Sequence, residues 1–525
     1  MVIRSPFPDV EIPDESLTEF VLTGPGGRGE KPALIDAPSG RTITYSQLVE
    51  SVGAVAVGLA ERGFGKGEVF AHYAPNLPEY AVALHAVASA GGVNTTANVL
   101  YTAEELAAQL RDCGARMLVT VPELLEKASA AAEQSSVTEI FVYGEGDGAT
   151  PFPSLLQTRG EPPAGVIDPA EDLVALPYSS GTTGLPKGVM LTHRNLVANL
   201  CQMTHERLWE QWEHDRVVAA LPFSHIYGLV VLMNAPLYTG GTVVTMPRFE
   251  LREFLRVIQD YRITRAYVVP PIVLALAKHP LVDEFDLSSL ELINTAAAPV
   301  SAELEVACGE RLGCRIKQGY GLTEASPTTH FVPDQLAGEM PGEVGPLVPN
   351  TVCRIVDVAS GQDAPAGEPG ELCIRGPQVM KGYLNKPQAT ALAIDPDGWL
   401  HTRDLARIEK NGSLRIVDRV KELIKYKGHQ VAPAELEALL LTHPAIVDAA
   451  VIPAPDEEAG EVPKAFVVAT GPITPEEVSR FVAEHVAPYK KVRAVELVEE
   501  IPKSPTGKIL RRALIDRERA AAMAG

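Results

Sequence analysis

Short apolar segments alternate with helical patterns through most of residues 40–330, and this alternation limits the possible folds more than any other feature of the chain. Examples are the segments ALHAVASAGG, ARMLVTVPELLEKASAA and RAYVVPPIVLALA. Strands that alternate with helices form parallel sheets, because each helix carries the chain back to the start of the next strand. The pattern therefore predicts a large N-terminal domain of α/β layers with largely parallel sheets.

The pattern changes after about residue 340. The runs EVGPLVPN, TVCRIVD, GELCIRG and SLRIVD are short, β-like and separated by Gly and Pro, which predicts a small β subdomain. AELEALLLTHP, AIVDAAVIP, KAFVVAT, TPEEVSRFVAEHV and KILRRALIDRE then predict a compact α+β C-terminal domain of about one hundred residues.

Residues 226–247 form a long uncharged run. Asn234, Pro236, Gly240 and Gly241 interrupt it, so we interpret it as a buried strand-turn-strand region and not as a membrane span.

Charge and cysteine usage restrict the partners. The formal net charge of −21 argues against nucleic acid or an anionic membrane as a partner, so an anionic ligand needs local positive charge. Six cysteines without a C-x-x-C pair, and acidic residues where a secretory signal would be apolar, indicate a cytoplasmic protein with reduced thiols. The sequence does not fix the oligomeric state.

The segment 178–190, YSSGTTGLPKGVM, has the composition of a phosphate-binding loop, since backbone N–H groups, hydroxyls and Lys187 can converge on an anion. A Walker-type loop would place Ser or Thr directly after the lysine and run into a helix. Here Gly188 follows Lys187, Pro186 has no N–H, and VMLT predicts a strand before the helix HRNLVANLCQM. A different nucleotide-binding scheme is expected.

Two basic segments stand out against the acidic background. Residues 419–430 carry four basic side chains and one acidic side chain, a local charge of +3. Residues 489–512 carry seven basic side chains and three acidic side chains, a local charge of +4. Gly and Pro beside the lysines in KYKGHQVAP and PKSPTGKILRR predict shaped loops and not helix faces.

These motifs, with QGYGLTE and HTRD, occur in the order typical of the adenylate-forming enzymes, and the chain resembles that superfamily over nearly its whole length. The superfamily includes acyl-CoA synthetases, peptide-synthetase adenylation domains and firefly luciferase. PFSHIYGL, AAAP, EVGPLVPN, KGYLNKPQAT and DGWLHTRD are most similar to 4-coumarate-CoA ligases.

The resemblance implies a two-step ligation that uses ATP, Mg²⁺ and coenzyme A. A carboxylate attacks the α-phosphorus and releases pyrophosphate, and the CoA thiol then displaces AMP. The carboxylate is already ionised at pH 7, so the first step needs positioning and cations more than a general base.

Each motif is assigned a different part of ATP or of the reacting groups in the first step. The candidates for the β- and γ-phosphates are Ser179, Ser180, Gly181, Thr182, Thr183 and Lys187. By resemblance, Gln318, Gly319 and Tyr320 line the adenine, Thr323 touches the α-phosphate, Glu324 holds Mg²⁺, Asp404 and Arg419 bind the ribose, and Lys508 is the cation at the reacting oxygens.

The second step requires Lys508 to leave, so the resemblance implies a mobile C-terminal domain. We expect residues 1–418 to bind ATP and acid, and residues 419–525 to rotate about a hinge near Lys421. Lys427 and Gly428 are then assigned to CoA, and Lys425 and Gln430 to the adenylate, with His225 beside the acyl-adenylate and the thiol.

The acyl pocket is assigned by the same resemblance. Its candidates are Tyr227, Val231, Ala296, Ala298, Gly321 and Pro327. Ala296 stands where plant ligases typically have Gly, which predicts a slightly shallower pocket. Coumarate or cinnamate and medium-chain fatty acids remain alternatives, as do an enzyme that loads a carrier protein and a non-catalytic nucleotide-binding protein.

One position departs from the family pattern. Arg403 precedes Asp404, whereas the family usually has Gly there. Gly serves a positive φ or a close backbone approach, so we expect Arg403 to weaken ATP binding.

Overall fold

The structure is a computed structural model that describes residues 2–24, 28–158, 160, 166–179, 186–210, 214–419, 422–426, 429–456, 459–504 and 507–524. The helices are α1 (Leu17–Thr23), α2 (Tyr45–Glu61), α3 (Pro78–Ser89), α4 (Ala103–Cys113), α5 (Leu125–Ala132), α6 (His193–Met203), α7 (Ala235–Thr239), α8 (Leu251–Tyr261), α9 (Pro270–Lys278), α10 (Ala302–Leu312), α11 (Pro387–Ala393), α12 (Pro433–Thr442), α13 (Pro475–His485) and α14 (Arg511–Ala524).

The strands are β1 (Ile3–Arg4), β2 (Pro32–Asp36), β3 (Thr42–Thr44), β4 (Val69–Tyr73), β5 (Val93–Thr96), β6 (Ala115–Thr120), β7 (Glu139–Val142), β8 (Thr150–Pro151), β9 (Leu173–Ser179), β10 (Lys187–Thr192), β11 (Arg216–Ala219), β12 (Thr242–Thr245), β13 (Arg265–Val268), β14 (Leu292–Thr295), β15 (Arg315–Gly321), β16 (Thr328–Phe331), β17 (Val352–Val356), β18 (Gly370–Arg375), β19 (Gly382–Tyr383), β20 (Leu400–Ile408), β21 (Leu414–Arg419), β22 (Ile424–Tyr426), β23 (His429–Val431), β24 (Ile446–Asp456), β25 (Gly460–Ala469) and β26 (Ala494–Leu497).

Two eight-stranded sheets form the body of the N-terminal part, in the orders β19-β10-β9-β5-β4-β6-β7-β8 and β16-β15-β14-β13-β11-β12-β2-β3. Their central strands are parallel, and antiparallel pairing is confined to the ends near β10, β16 and β3. Helix starts are fixed locally, since Thr44, Thr102 and Thr192 each close a capping box at α2, α4 and α6. The predicted α/β layers are confirmed.

The small β subdomain is an antiparallel sheet in the order β1-β17-β18-β20-β21. Three of the four predicted runs supply β17, β18 and β21. EVGPLVPN is the exception, because it forms no strand and contributes only the isolated bridges of Gly345 and Leu347. Its two prolines lack the N–H that a ladder needs, so that prediction was wrong.

The C-terminal part is a compact α+β unit. Its sheet has the order β23-β22-β25-β24, with β26 paired to β25, and α12, α13 and α14 pack on it. Lys278 Nζ of α9 donates to the carbonyl of Leu441 at 3.0 Å. A Cβ on Gly507 would lie 2.8 Å from Pro271 Cδ, so Gly507, next to Lys508, packs against the start of α9.

The strand-turn-strand interpretation of residues 226–247 was wrong. The chain forms a π-helix over Tyr227–Asn234, continues into α7, and only Thr242–Thr245 is a strand. The π-helix is buried on every side, so it shows no amphipathic period, and apolar runs of this length do not distinguish helix from strand. Asn234 keeps its polar group inside by donating to the carbonyl of Leu229 at 2.7 Å. None of the described helices is long and apolar enough to cross a membrane.

All six cysteines are free thiols, and four of them are buried, as predicted.

Candidate active site

The phosphate-loop segment joins two antiparallel strands. Ser179 ends β9 and pairs across the ladder with Lys187, the first residue of β10. The connection is therefore strand-loop-strand, unlike the strand-loop-helix of a Walker site. Ser180, Gly181, Thr182 and Thr183 lie outside the described residues.

Glu324 joins this segment to two other motifs. Its Oε1 accepts from the hydroxyl of Ser179 at 2.9 Å and from that of Tyr383 at 2.8 Å. The Nζ of Lys187 stands 5.1 Å from the centroid of the Tyr383 ring. Sequence reasoning missed Tyr383 as a site residue, although it lies in the segment KGYLNKPQAT, because nothing in that segment indicates that β19 pairs with β10.

The chemistry of this donor set fits Mg²⁺. A carboxylate and hydroxyl oxygens are hard ligands, and Mg²⁺ in nucleotide sites is held by one or two carboxylates together with phosphate oxygens.

Asp404 forms a second junction, between β15 and the β subdomain. Its Oδ2 accepts from the hydroxyl of Tyr320 at 2.6 Å, and its Oδ1 lies 3.1 Å from Arg419 Nε. Burial on its own would lower the pKa of Arg419, but the carboxylates of Asp404, Glu422 and Glu324 outweigh burial and raise the pKa. The predicted ribose pair, Asp404 and Arg419, is brought together.

A bulge in β20 presents Asp404. Glu371 of β18 pairs with Leu405 and Cys373 pairs with His401, so one residue of β18 faces three residues of β20. Arg403 lies in this bulge with φ of 62°, the left-handed conformation that the usual Gly would adopt freely. For a residue with a Cβ this conformation costs about 1–2 kcal/mol.

Interactions around Arg403 offset part of that cost. Its backbone N–H donates to Glu371 Oε1 at 3.2 Å, and its guanidinium donates to the carbonyl of Leu392 at 3.1 Å. Thr402 Oγ1 spans the bulge, donating to the carbonyl of Leu372 at 2.7 Å and accepting from the N–H of Asp404 at 3.1 Å.

The QGYGLTE segment supports the site in two ways. Gln318 is buried, and its amide exchanges hydrogen bonds with the backbone of Val300 and donates to Glu305, so its side chain holds the loop before α10 in place. Gly319 is also buried, and Thr323 begins a short 3₁₀ turn that carries Glu324.

His225 and Lys508 are far apart in the sequence, but the charge of Lys508 acts on the imidazole of His225. Burial, with a smaller contribution from the charge of Lys508, lowers the pKa of His225 to about 4, so the imidazole is neutral at pH 7. Its Nδ1 accepts the backbone N–H of Tyr227 at 3.2 Å.

Two of the residues predicted for the second step, Lys425 and Gln430, lie on neighbouring strands of the C-terminal sheet. Lys425 is exposed on β22 and shares a register position with Gln430 of β23. Lys421, Lys427 and Gly428 lie outside the described residues.

The residues assigned to the acyl pocket form two groups. In the first group, Tyr227 and Val231 both lie on the π-helix. The Tyr227 hydroxyl lies 3.1 Å from Nδ2 of Asn294, and Asn294 precedes the loop that carries Ala296 and Ala298. In the second group, a Cβ on Gly321 would lie 2.2 Å from the carbonyl oxygen of Pro327, so only Gly allows this close approach.

Comparison with known proteins agrees with this arrangement. The profile of the AMP-binding enzyme family matches residues 25–384, and that of the AMP-binding enzyme C-terminal domain matches residues 435–508. A 4-coumarate–CoA ligase of Pinus taeda is 43% identical over 523 residues, which cover 98% of this chain and 97% of that protein.

Two solved structures are similar as well. The anthranilate CoA ligase AuaEII in complex with anthranoyl-AMP superposes with a TM-score of 0.90 at 28% identity, over 98% of this chain and 99% of that one. ATP-bound MatB from Rhodopseudomonas palustris superposes with a TM-score of 0.86 at 29% identity, over 96% of this chain and 98% of that one.

The chain belongs to the AMP-binding, adenylate-forming enzyme family. It is an AMP-forming acid–thiol ligase of the 4-coumarate–CoA ligase-like type, and a carboxylic acid, ATP and CoA are its substrates.

Proposed function

We propose that this ligase activates 4-coumarate or cinnamate-type acids, through an acyl-adenylate, to their CoA thioesters. The observation that carries the proposal is the uncharged lining of the acyl pocket. The six residues assigned to it, Tyr227, Val231, Ala296, Ala298, Gly321 and Pro327, carry no charge. The 43% identity to the Pinus taeda 4-coumarate–CoA ligase supports the same substrate class.

The pocket chemistry favours an apolar acyl group over a second carboxylate. Val231 is 3% exposed, and the hydroxyl of Tyr227 is already paired with Asn294. A dicarboxylate would leave one charge without a partner against these side chains, which costs several kcal/mol. An aromatic ring instead finds apolar contacts along the π-helix.

In the adenylation step, the cations of the site would orient two anions. Lys187 would hold the pyrophosphate end of ATP, Arg419 and Asp404 the ribose, and Lys508 the α-phosphate and the carboxylate oxygens. The proximity of Lys508 to the neutral His225, seen in the effect of its charge on the imidazole, supports this assignment. Holding both anions in line lowers the barrier without a general base.

Glu324 is the proposed ligand for Mg²⁺. Its Oε1 is held by Ser179 and Tyr383, which orients the carboxylate. When bound, Mg²⁺ would neutralise part of the phosphate charge.

Thioester formation is proposed to follow a rotation of residues 419–525 about Lys421, with residues 1–418 keeping the adenylate. Lys427 and Gly428 are proposed for CoA, and Lys425 and Gln430 for the adenylate. Support comes from the exposed side chain of Lys425 on β22, which is paired in register with Gln430 of β23. The six free thiols support a reducing, cytoplasmic setting.

A panel of acids tests the substrate class. 4-Coumarate, cinnamate, octanoate and malonate are each supplied with ATP, Mg²⁺ and CoA, and pyrophosphate and thioester are measured. We expect kcat/KM for the two phenylpropenoic acids to exceed that for octanoate at least about tenfold. A discrimination of this size corresponds to the binding of one or two well-placed apolar groups. Equal or faster turnover of octanoate would make the enzyme a medium-chain fatty acyl-CoA synthetase.

The same assay distinguishes CoA from a carrier protein as the acceptor of the acyl group. Replacing CoA with acyl or peptidyl carrier proteins should leave pyrophosphate release intact and abolish steady thioester formation. Loading of a carrier at a rate comparable to CoA would contradict the CoA-ligase proposal.

A further inference from the structure

The β subdomain holds a cluster of metal-ligating side chains outside the proposed ATP and acyl sites. Glu371 and Cys373 of β18 and His401 of β20 place one ligand atom each within 4.8 Å of one another. His401 Nδ1 lies 3.4 Å from Cys373 Sγ and 3.2 Å from Glu371 Oε2. None of the roles assigned to the ligase reaction uses these three side chains.

The spacing matches that of ligands around a tetrahedral metal ion. With Zn–N of about 2.0 Å and Zn–S of about 2.3 Å, neighbouring tetrahedral ligands lie about 3.3–3.8 Å apart. Both measured separations fall at or close to this range. Thiolate, imidazole and carboxylate together are a donor set typical of Zn²⁺, and three protein ligands leave a fourth position for water.

The fold produces this cluster through the bulge in β20. Cys373 and His401 are direct partners across the ladder, and beyond them the bulge shifts the register so that Glu371 faces Leu405. The carboxylate of Glu371 nevertheless turns back toward His401, because its other oxygen accepts the backbone N–H of Arg403.

Neighbouring groups hold the ligands in place. Asp395 Oδ2 lies 3.6 Å from His401 Nε2, on the side of the ring away from the cluster, and so can fix the imidazole with Nδ1 facing the metal. Asp395 is itself held by the backbone N–H groups of Asp397 and Trp399 and by Arg354. Such carboxylate–histidine pairs orient metal ligands in many zinc sites.

The proposed metal site is accessible to solvent from one side. Cys373 is fully buried, whereas the side chains of His401 and Glu371 are 24% and 12% exposed. The buried thiolate position and the partly open carboxylate and imidazole form a site with one accessible side.

We propose that Glu371, Cys373 and His401 bind one divalent transition metal ion of the Zn²⁺ class in the β subdomain. The site is separate from the proposed Mg²⁺ ligand Glu324, whose Oε1 accepts hydrogen bonds from the hydroxyls of Ser179 and Tyr383.

Cobalt substitution tests the site in the full-length chain. After dialysis against a chelator, the protein is titrated with Co²⁺, and thiolate-to-metal charge transfer and tetrahedral d–d absorption are recorded. We expect saturation at one equivalent and displacement by Zn²⁺. Failure to saturate, or absorption without a thiolate band, would overturn the proposal and leave Glu371 and His401 as an ion pair that holds the two strands together.

Variants assign the ligands. Cys373→Ser should remove the charge-transfer band and weaken Zn²⁺ binding on the order of 100-fold, and His401→Gln should weaken it similarly. Cys353→Ala is the matched control, because this buried thiol lies on the adjacent strand β17 opposite Ile374, on the other face of the sheet from Cys373.

A milder change covers the case in which the ligand variants do not fold. Asp395→Asn keeps all three ligands and should weaken Zn²⁺ binding about tenfold. A band that survives in Cys373→Ser, or is lost in Cys353→Ala, would assign the metal to another thiol and contradict the proposal.

Discussion

The hydroxyl of Tyr320 lies 2.6 Å from Oδ2 of Asp404, and this contact joins the parallel sheet of the N-terminal part to the β subdomain. Arg419, the last residue of β21, holds the other oxygen of the same carboxylate. Asp404 is therefore the point at which the proposed ribose site, the β subdomain and the strand that leads to the proposed hinge meet.

Lys508→Ala should separate the two half-reactions. Loss of a preorganised cation is expected to slow pyrophosphate release on the order of 10² to 10³-fold, while thioester formation from supplied acyl-adenylate stays close to that of the wild type. Lys503→Ala in the same loop is the control, because Lys503 pairs with Asp448 at 2.6 Å in the C-terminal part. Equal losses in both half-reactions would contradict the assigned role of Lys508.

Tyr383→Phe should weaken the Glu324 site without unfolding it. The ring over Lys187 remains, but a hydrogen bond to a charged oxygen is lost, which is worth about 1.5–3 kcal/mol. We expect a tenfold or larger fall in kcat/KM for ATP and a raised Mg²⁺ requirement, measured by pyrophosphate release. Tyr178→Phe is the control, because it also removes a tyrosine–carboxylate hydrogen bond, that to Asp112 at 2.7 Å. It should change kcat/KM for ATP and the Mg²⁺ requirement much less than Tyr383→Phe does.

Arg403→Gly should relieve the left-handed strain next to Asp404. The relief of about 1–2 kcal/mol favours the bulged backbone, so the KM for ATP is expected to fall several-fold. Arg403→Ala keeps the left-handed backbone strain but removes the side-chain contacts. Comparing the KM for ATP of the two variants therefore isolates the effect of the backbone conformation. The same KM for both variants would show that the conformation of residue 403 does not limit ATP binding.

Ala296→Gly should deepen the acyl pocket by one methyl group. A change of this size is worth about 1–3 kcal/mol, so the preference for ring-substituted over unsubstituted cinnamates should rise tenfold or more. Ala296→Val should move the preference in the opposite direction. If kcat/KM ratios across an acid panel stay constant in both variants, residue 296 does not line the pocket.

Acid should destabilise the protein through its buried histidines. Burial lowers the pKa of His72, His85, His193 and His225 to about 4 and that of His330 to about 3. Between pH 6.5 and these values the unfolded chain binds protons that the folded chain does not, so stability is present above pH 6.5 and is lost as the pH falls. Each histidine contributes a slope of about 1.4 kcal/mol per pH unit at most.

Thermal unfolding measured by near-ultraviolet circular dichroism at several pH values between 7 and 4.5 checks this slope. The midpoint should fall steadily below pH 6.5, and proton uptake on unfolding should reach several protons per chain near pH 5. A midpoint that does not change over this range would mean that these rings are protonated in the folded state.

The sequence predicted the elements whose pattern is local. Strands such as β6, β13 and β18, and the capped helix α6 after the phosphate-loop segment, follow from apolar runs, turn residues and capping residues. The run 226–247 did not follow, because complete burial removes the period that distinguishes a helix from a strand.

Long-range pairing limited the prediction of the site. The motifs contained Glu324, Asp404 and Arg419, but Tyr383 reaches Glu324 only because β19 adds to β10. The structure likewise gives Gln318 a supporting role, since its partners Val300 and Glu305 lie more than ten residues earlier in the sequence. The left-handed residue before Asp404 was predictable from the missing Gly, whereas the contacts that allow Arg403 to adopt it were not.

The hydrogen bond from the backbone of Tyr227 to Nδ1 of His225 limits what this histidine can do. With Nδ1 occupied as an acceptor and the ring neutral, the proton resides on Nε2, so the free edge of the imidazole can only give a hydrogen bond. His225 is thereby suited to steady an oxygen of the acyl-adenylate and unsuited to take the proton of an incoming thiol. In the proposed second step, deprotonation of CoA would then fall to solvent or to a group of the C-terminal part.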